Sequence, residues 1–222
     1  MSADANGYLT REYQDKAEGY FTNARADYVA ALPDNPAAAI LELGCGAGAT
    51  GALALREGKC ATYVGIEMFE PMALEAEVVL TAVHVGNVET MALPYEPGVF
   101  DALICSEVLE HLTDPAPVLR RLVSLLKPGG RVYASSPNIA HWRIVMELLR
   151  GRFDYEERGV MDRTHLRWFT PNSFRRLFED CGVEVDRMAP PGSSYRFRPW
   201  LTGLPMEHLR WRQIDLRGHR AR

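Results

Sequence analysis

The stretch A-I-L-E-L-G-C-G-A-G-A-T-G, residues 39–51, runs from an apolar segment directly into four glycines spread over eight positions. A short apolar run bounded by glycine reads as a buried strand, and the helix-forming residues beyond the glycines read as the helix that follows it. Glycines at such a turn let backbone N–H groups approach a bound group closely, and the helix points its positive end at the same place. Two registers fit. Residues 46–51, G-A-G-A-T-G, match the G-x-G-x-x-G pattern of dinucleotide sites, whose glycines make room for a pyrophosphate. The other register is E-x-G-x-G-x-G, with Glu42 at the strand end and Gly44, Gly46 and Gly48 at the turn. A carboxylate there repels a pyrophosphate and suits a cationic ligand carrying an ammonium or sulfonium.

Working outward, further short apolar runs alternate with helix-length segments: T-Y-V-G-I-E, A-V-H-V-G-N, F-D-A-L-I-C-S, R-V-Y-A-S-S-P and V-E-V-D-R-M. This alternation predicts an α/β fold, a doubly wound and mostly parallel sheet with helices on both faces. K-P-G-G at 127–130 reads as the turn between the helix V-L-R-R-L-V-S-L-L and the next strand. The segment R-W-R-Q-I-D-L-R-G, residues 210–218, predicts a final edge strand paired with V-E-V-D-R-M, making an antiparallel C-terminal hairpin. Near the other end, Tyr13, Ala17, Tyr20, Ala24, Tyr28 and Ala31 recur at helical spacing and predict a helix over 11–32, ended by P-D-N-P. We divide the chain into an N-terminal helical cap, 1–36, and a main domain, 37–222. At 222 residues and 47% hydrophobic content it is one domain overall.

No run approaches the roughly 18 apolar residues of a membrane span, and the N-terminus has no basic region followed by an apolar one, so a cytoplasmic protein is expected. Cys45, Cys60, Cys105 and Cys181 are far apart, which argues for reduced, packed thiols. Residues 1–119 hold 5 Lys and Arg against 18 Asp and Glu, whereas residues 120–222 hold 20 against 11. Such asymmetry raises the expectation of an anionic acceptor, although a folded chain mixes its halves over one surface.

After the first strand, E-L-G-C-G-A-G resembles the cofactor loop of the class I S-adenosylmethionine-dependent methyltransferases, and the chain follows their order of motifs over about residues 11–189. The resemblance implies a Rossmann-like fold with a seven-stranded sheet. It implies S-adenosyl-L-methionine as cofactor, held by Glu42, Gly44, Cys45, Gly46 and Gly48, with Glu67 on the ribose, Met68 beside it, Asn87 and Val88 near adenine, and Ser106. Asn87 stands where the family usually has Asp. By analogy, Arg25 pairs with the cofactor carboxylate. Y-F-T-N-A-R-A-D, S-E-V-L-E-H-L-T-D-P, S-P-N-I-A-H, L-L-R-G-R-F-D-Y and above all G-V-M-D-R-T-H-L-R-W-F-T resemble a bacterial group linked to surface-polysaccharide and glycan pathways. That closer likeness implies O-methylation of a glycan, glycolipid or related small molecule.

Within S-E-V-L-E-H-L, residues 106–112, a helix starting after the fourth strand would put Glu107, Glu110 and His111 on one arc. An alcohol nucleophile needs a base or an acidifying metal, and His111 and His165 are the candidate bases. His165 precedes a helix expected to be capped by Thr170 with Pro171 at its first position. Ubiquinone-pathway and small-RNA 2′-O-methyltransferases show E-x-x-E-H after the same strand. This resemblance implies a divalent metal such as magnesium on Glu107, Glu110, His111 and His165. Arg152, Tyr155, Arg163 and Arg167 are candidate contacts to an acidic or sugar acceptor. The competing readings are an NAD-dependent oxidoreductase, a metal-dependent RNA 2′-O-methyltransferase, and an inactive cofactor-binding partner protein; nucleic acid is otherwise not expected as a partner. The oligomeric state is not encoded in these motifs.

Overall fold

The computed structural model describes residues 23–191 and 207–221. In chain order the elements are α1 (Ala26–Val29), β1 (Ala39–Leu43), α2 (Ala49–Arg56), β2 (Thr62–Glu67), α3 (Glu70–Val79), β3 (Ala82–Val85), β4 (Phe100–Ser106), α4 (Pro115–Ser124), β5 (Leu126–Pro137), α5 (Trp142–Leu149), α6 (Pro171–Glu179), β6 (Val183–Ala189) and β7 (Gln213–Arg220). Single 3-10 turns occupy Leu109–His111 and Glu207–Arg210. The seven strands form one sheet in the order β3-β2-β1-β4-β5-β7-β6. β1 to β5 are parallel, and β7 runs antiparallel to both neighbours. The α/β, mostly parallel architecture with an antiparallel hairpin is therefore as expected.

The central strands β1, β2 and β4 are mostly apolar because both faces are covered. Alternate residues of β1 and β4 feed opposite sides: Leu41, Leu43, Leu103 and Cys105 join one buried cluster, Ile40, Ala102 and Ile104 the other. Helix ends follow from local chemistry. Asp114 caps α4 by accepting from the Ala116 N–H, with Pro115 at the first position. Thr170 caps α6 in a reciprocal box with Ser173, again followed by proline. α6 then lays Phe174 and Phe178, both fully buried, against the sheet.

Three expectations change. Residues 11–22 of the long N-terminal helix lie outside the described residues, and within them only Ala26–Val29 is helical. Of this segment, Tyr28, Val29 and Leu32 are buried in the second cluster. K-P-G-G does not break the strand. β5 begins at Leu126, and its pairing with β4 jumps from Phe100↔Leu126 to Ala102↔Arg131, so the turn is absorbed as a bulge. Finally, β7 is not the edge strand. It lies between β5 and β6, with Ile214 and Leu216 fully buried. At Gly218 a Cβ would sit 2.5 Å from the Glu184 carbonyl oxygen. The edge belongs to β6, whose Glu184, Asp186 and Arg187 suit an exposed rim. The four cysteines are buried and free, as expected.

Gly51 shows how tightly α2 packs. A Cβ there would stand 2.3 Å from Leu80 Cδ2 and 2.5 Å from the Tyr63 ring. Gly51→Ala should cost about 1–3 kcal/mol through overpacking, read as a lower midpoint in chemical denaturation; an unchanged midpoint would contradict this packing.

Candidate active site

The strand order reverses between β1 and β4, where β2 and β3 lie to one side and β5 to the other. At such a switch point an open α/β sheet has a crevice beyond the carboxyl ends of its strands. Here the crevice is a cavity of about 980 Å³ that runs from the glycine turn to His111 and His165.

At the glycine turn Gly44, Gly46 and Gly48 have φ of +72°, +53° and +81°, a region that favours glycine. The Gly44 N–H donates to the Ile66 carbonyl at 2.8 Å. A Cβ on Gly44 would meet Val108 Cγ2 at 2.9 Å, so this glycine also lets the chain after β4 approach. Glu67 ties the loop to β2. One carboxylate oxygen accepts the Gly46 N–H and the other accepts the N–H groups of Met68 and Phe69, each at 2.9 Å. Burial raises its pKa even so, against the pull of those three donors. Glu42 is buried on the same side and accepts the Tyr63 hydroxyl at 2.8 Å. Burial pushes it up to about 7 while the Tyr63 and Thr50 hydroxyls pull it back.

Met68, Asn87 and Val88 continue the lining, with Cys45 and Ser106. The Asn87 side-chain oxygen accepts the Glu89 N–H at 2.8 Å, making a tight turn. Arg121 holds this turn from below through the carbonyls of Met91 and Val88. Gly48 does not line the cavity. It caps α2, and a Cβ there would run into Val79, Leu80 and Ala76.

Arg25 lines the cavity, but its guanidinium is fully engaged. Nε and one NH2 proton go to Asp27, both NH1 protons to Ser106 and Ser135, and the remaining NH2 proton to Asp215. That uses all five N–H donors of an arginine, and Tyr28 stacks 3.6 Å from it. A cofactor carboxylate would have to displace one of these partners; in this structure Arg25 staples the N-terminal segment to the sheet.

S-E-V-L-E-H-L does not start an α-helix. Glu107 has φ of +51°, the one such non-glycine residue among those described, and Leu109–His111 form a 3-10 turn; α4 begins only at Pro115. The turn still brings Glu107, Glu110 and His111 to the cavity. Glu110 is 1% exposed. Its Oε2 accepts the Ser136 hydroxyl at 3.2 Å, whereas Oε1, like Oε1 of Glu107, has no hydrogen-bond partner. Burial and then the neighbouring Glu107 raise the Glu110 pKa well above the usual carboxylate range, and burial raises that of Glu107.

The imidazoles of His111 and His165 lie 4.9 Å apart, centroid to centroid. Nδ1 of His111 faces the Thr164 carbonyl and Nδ1 of His165 the Val160 carbonyl, both at 3.1 Å. A carbonyl only accepts, so both rings carry the proton on Nδ1 and, when neutral, the lone pair on Nε2. Ligand atoms of Glu110, His111 and His165 lie within 4.8 Å of one another, and Glu107 stands outside that triplet. This donor set, with a buried carboxylate oxygen and two imidazoles oriented by backbone carbonyls, fits a divalent cation.

The four candidate acceptor contacts do not line the cavity. Arg152 pairs with Glu147 at 3.4 Å, Tyr155 stacks with Phe153 and Trp168, and Arg167 donates to the Thr113 carbonyl. Arg163 lies in the loop without reaching it. Their loop instead presents Gly159, Asp162 and His165. Among the described residues, Asp27, Glu42, Glu67, Glu89, Glu107, Glu110 and Asp162 face the cavity, together with the guanidinium of Arg25. The sequence pattern signalled neither Asp162 nor Glu89, whose carboxylate holds the Thr113 and Asp114 N–H groups.

Residues 13–187 match a family model described as a methyltransferase domain. A ubiquinone biosynthesis O-methyltransferase of Xanthomonas axonopodis pv. citri (strain 306) is 34% identical over 207 residues, 90% of this chain and 83% of that protein. Its counterpart in Xanthomonas campestris pv. campestris (strain B100) is 38% identical over 143 residues, 62% of this chain, and the chain spans only 59% of that relative. Among solved structures, an S-adenosylmethionine-dependent methyltransferase from Mesorhizobium loti has a TM-score of 0.61 at 20% identity, covering 89% of this chain and 98% of that one. One from Methanosarcina mazei has a TM-score of 0.64 at 17% identity, covering 90% and 99%. At those identities the likeness is one of fold. Among the described residues no helix is long and apolar enough to cross a membrane.

Glu42 gives the site a pH signature. Its proton is held more tightly folded, at about 7, than at the ordinary 4.5. The unfolded chain therefore ionises first, and stability falls as pH rises between those values. Glu42→Gln should match the parent at pH 4 and gain about 3 kcal/mol over it above pH 7. Denaturant titrations at the two pH values measure the difference, and a gain independent of pH would contradict the assignment.

Proposed function

Because the chain belongs to the methyltransferase-domain family, we propose that it transfers the methyl group of S-adenosylmethionine to a hydroxyl of a glycan, glycolipid or related small molecule. The observation that carries this reading is one cavity joining the glycine turn and Glu67 to the His111–His165 pair, with seven carboxyl groups on its wall among the described residues. Such a wall favours a cofactor bearing a sulfonium and an ammonium, and it disfavours the pyrophosphate of a dinucleotide. It equally disfavours the phosphodiester backbone of an RNA acceptor. The same charge argues that the reacting end of the acceptor is uncharged, unlike the anionic acceptor expected from composition. The ubiquinone biosynthesis relatives support oxygen as the methylated atom and a small molecule as the acceptor.

In this reading Gly44, Cys45, Gly46 and Glu67 bind the methionine and ribose parts, and Asn87 and Val88 border the adenine. Nε2 of His165 or His111 takes the hydroxyl proton. The oxygen lone pair then attacks the methyl carbon in line with the carbon–sulfur bond, whose electron pair returns to sulfur and leaves S-adenosylhomocysteine. The chain's main contribution is to hold oxygen and methyl carbon about 3–3.5 Å apart and aligned. A divalent cation on Glu110, His111 and His165 would supply acidification of the hydroxyl. The residues that hold it would be those that otherwise accept the proton.

Calorimetry should show S-adenosylhomocysteine binding and no binding of NAD; the reverse would overturn the proposal in favour of an oxidoreductase. His165→Ala should keep S-adenosylhomocysteine affinity within about twofold and lower turnover about 100-fold or more, as for loss of a general base. Unchanged turnover would remove His165 from the mechanism. Intact cofactor binding with no turnover on a panel of diphenols, sugars and glycolipids would favour the inactive partner protein. Chelation followed by magnesium, with turnover lost and restored, is the outcome expected if the cation takes part.

A further inference from the structure

The G-V-M-D-R-T-H segment contributes more than His165. Asp162 is 2% exposed and Thr164 fully buried. One oxygen of Asp162, Oδ1, accepts both the Thr164 N–H at 2.9 Å and the Thr164 hydroxyl at 2.7 Å. This is the side-chain-to-backbone turn that aspartate makes two residues ahead of itself. It aims the Thr164 carbonyl away from the loop, and that carbonyl meets Nδ1 of His111, 53 residues earlier in the chain. Earlier in the same turn the Val160 carbonyl receives Nδ1 of His165 and the indole N–H of Trp168, both at 3.1 Å. The turn is closed by the Asp162 N–H on the Gly159 carbonyl and the His165 N–H on the Asp162 carbonyl. Beyond it, the N–H groups of Leu166 and Arg167 donate to the Glu110 carbonyl at 2.8 and 3.0 Å. The loop and the 3-10 turn that carries His111 are thus zipped together by backbone bonds.

We infer that Asp162 is a positioning residue: through Thr164 it holds His111 in the tautomer whose proton is on Nδ1 and whose lone pair is on Nε2. The role rests on the proposed function only where it concerns turnover. Three features single out Asp162 from its loop neighbours. It is buried, a single oxygen takes both donors of one residue, and those donors belong to the residue whose carbonyl touches the imidazole. Removing the carboxylate leaves a buried N–H and a buried hydroxyl without their acceptor, which opens the turn. The Thr164 carbonyl then no longer selects between the two tautomers of His111, and the form with its proton on Nε2 has no lone pair there. Orienting partners of this kind, set behind a functional histidine, typically carry a 10–100-fold effect when lost.

The test uses the whole chain, labelled with 15N at histidine, in three variants. Long-range proton–nitrogen correlations distinguish the two imidazole tautomers directly. The parent should show His111 as a single Nδ1-protonated form. Asp162→Ala should show a mixture, with kcat lowered about 10–100-fold and the cofactor KM within about twofold. Asp162→Asn, whose amide oxygen accepts the same two bonds, should restore the single tautomer and bring kcat to within about threefold of the parent. Thr164→Val, which loses the hydroxyl bond alone, gives the intermediate case and serves if the alanine variant does not fold, as judged by S-adenosylhomocysteine binding. An unchanged His111 tautomer in both Asp162→Ala and Thr164→Val would overturn the inference. So would equal losses of kcat in Asp162→Ala and Asp162→Asn, because charge and not hydrogen-bond geometry would then be what matters. If the parent turns over no acceptor, the proposed function fails, while the tautomer comparison still decides the role of Asp162.

Discussion

Three backbone N–H groups from two different loops converge on one buried carboxylate, that of Glu67. A buried carboxylate without donors is costly, whereas one given three directed N–H groups stays put and fixes whatever supplies them. Gly46 supplies one from the turn after β1, and Met68 and Phe69 supply two from the turn after β2. The floor of the cavity is therefore set by a bond between adjacent parallel strands. Positive φ at Gly44, Gly46 and Gly48 shapes the turn so that the Gly46 N–H meets Glu67 while the Gly44 N–H meets the Ile66 carbonyl.

The far half of the cavity is built differently. There the fixed points are carbonyls: Thr164 and Val160 receive the two imidazoles, and Glu110 receives the loop that carries them. One half thus directs N–H groups inward onto acids, and the other directs backbone oxygens outward onto histidines. Between them stands a wall whose described residues are rich in carboxyl groups, with Arg25 spent on the N-terminal segment.

The parallel core and the glycine turn were legible in the sequence because both are local. Continuous apolar runs report burial on two faces, and glycine spacing reports backbone that side chains resist. The other residues at that end of the cavity came from the family resemblance and not from local pattern; of that set Gly48 does not line the cavity, because it packs against α3. What could not be read was direction at longer range. Arg152, Arg163 and Arg167 look like ligand contacts until the loop is folded, when Gly159, Asp162 and His165 line the cavity, Arg152 pairs with Glu147 and Arg167 with the Thr113 carbonyl. Likewise Q-I-D-L carries an interior strand's apolar content, yet nothing local says that it slips between two strands made earlier. Asp162 escaped because its importance lies in a bond to a neighbour whose carbonyl meets a residue 53 positions away.

That inserted strand has a consequence for synthesis. Among the described residues β6 pairs only with β7, and β7 follows it in the chain. As the polypeptide emerges from the ribosome, β1 to β5 can assemble in order, since each has a parallel neighbour already made or next to appear. β6 and the helix packed on it must wait, unpaired, until β7 has been translated and docked on β5. The last step of folding is then a non-local antiparallel closure, the slow and exposed kind. A ribosome stalled just before β7 would hold a chain with a finished parallel core and an unpaired edge on β5.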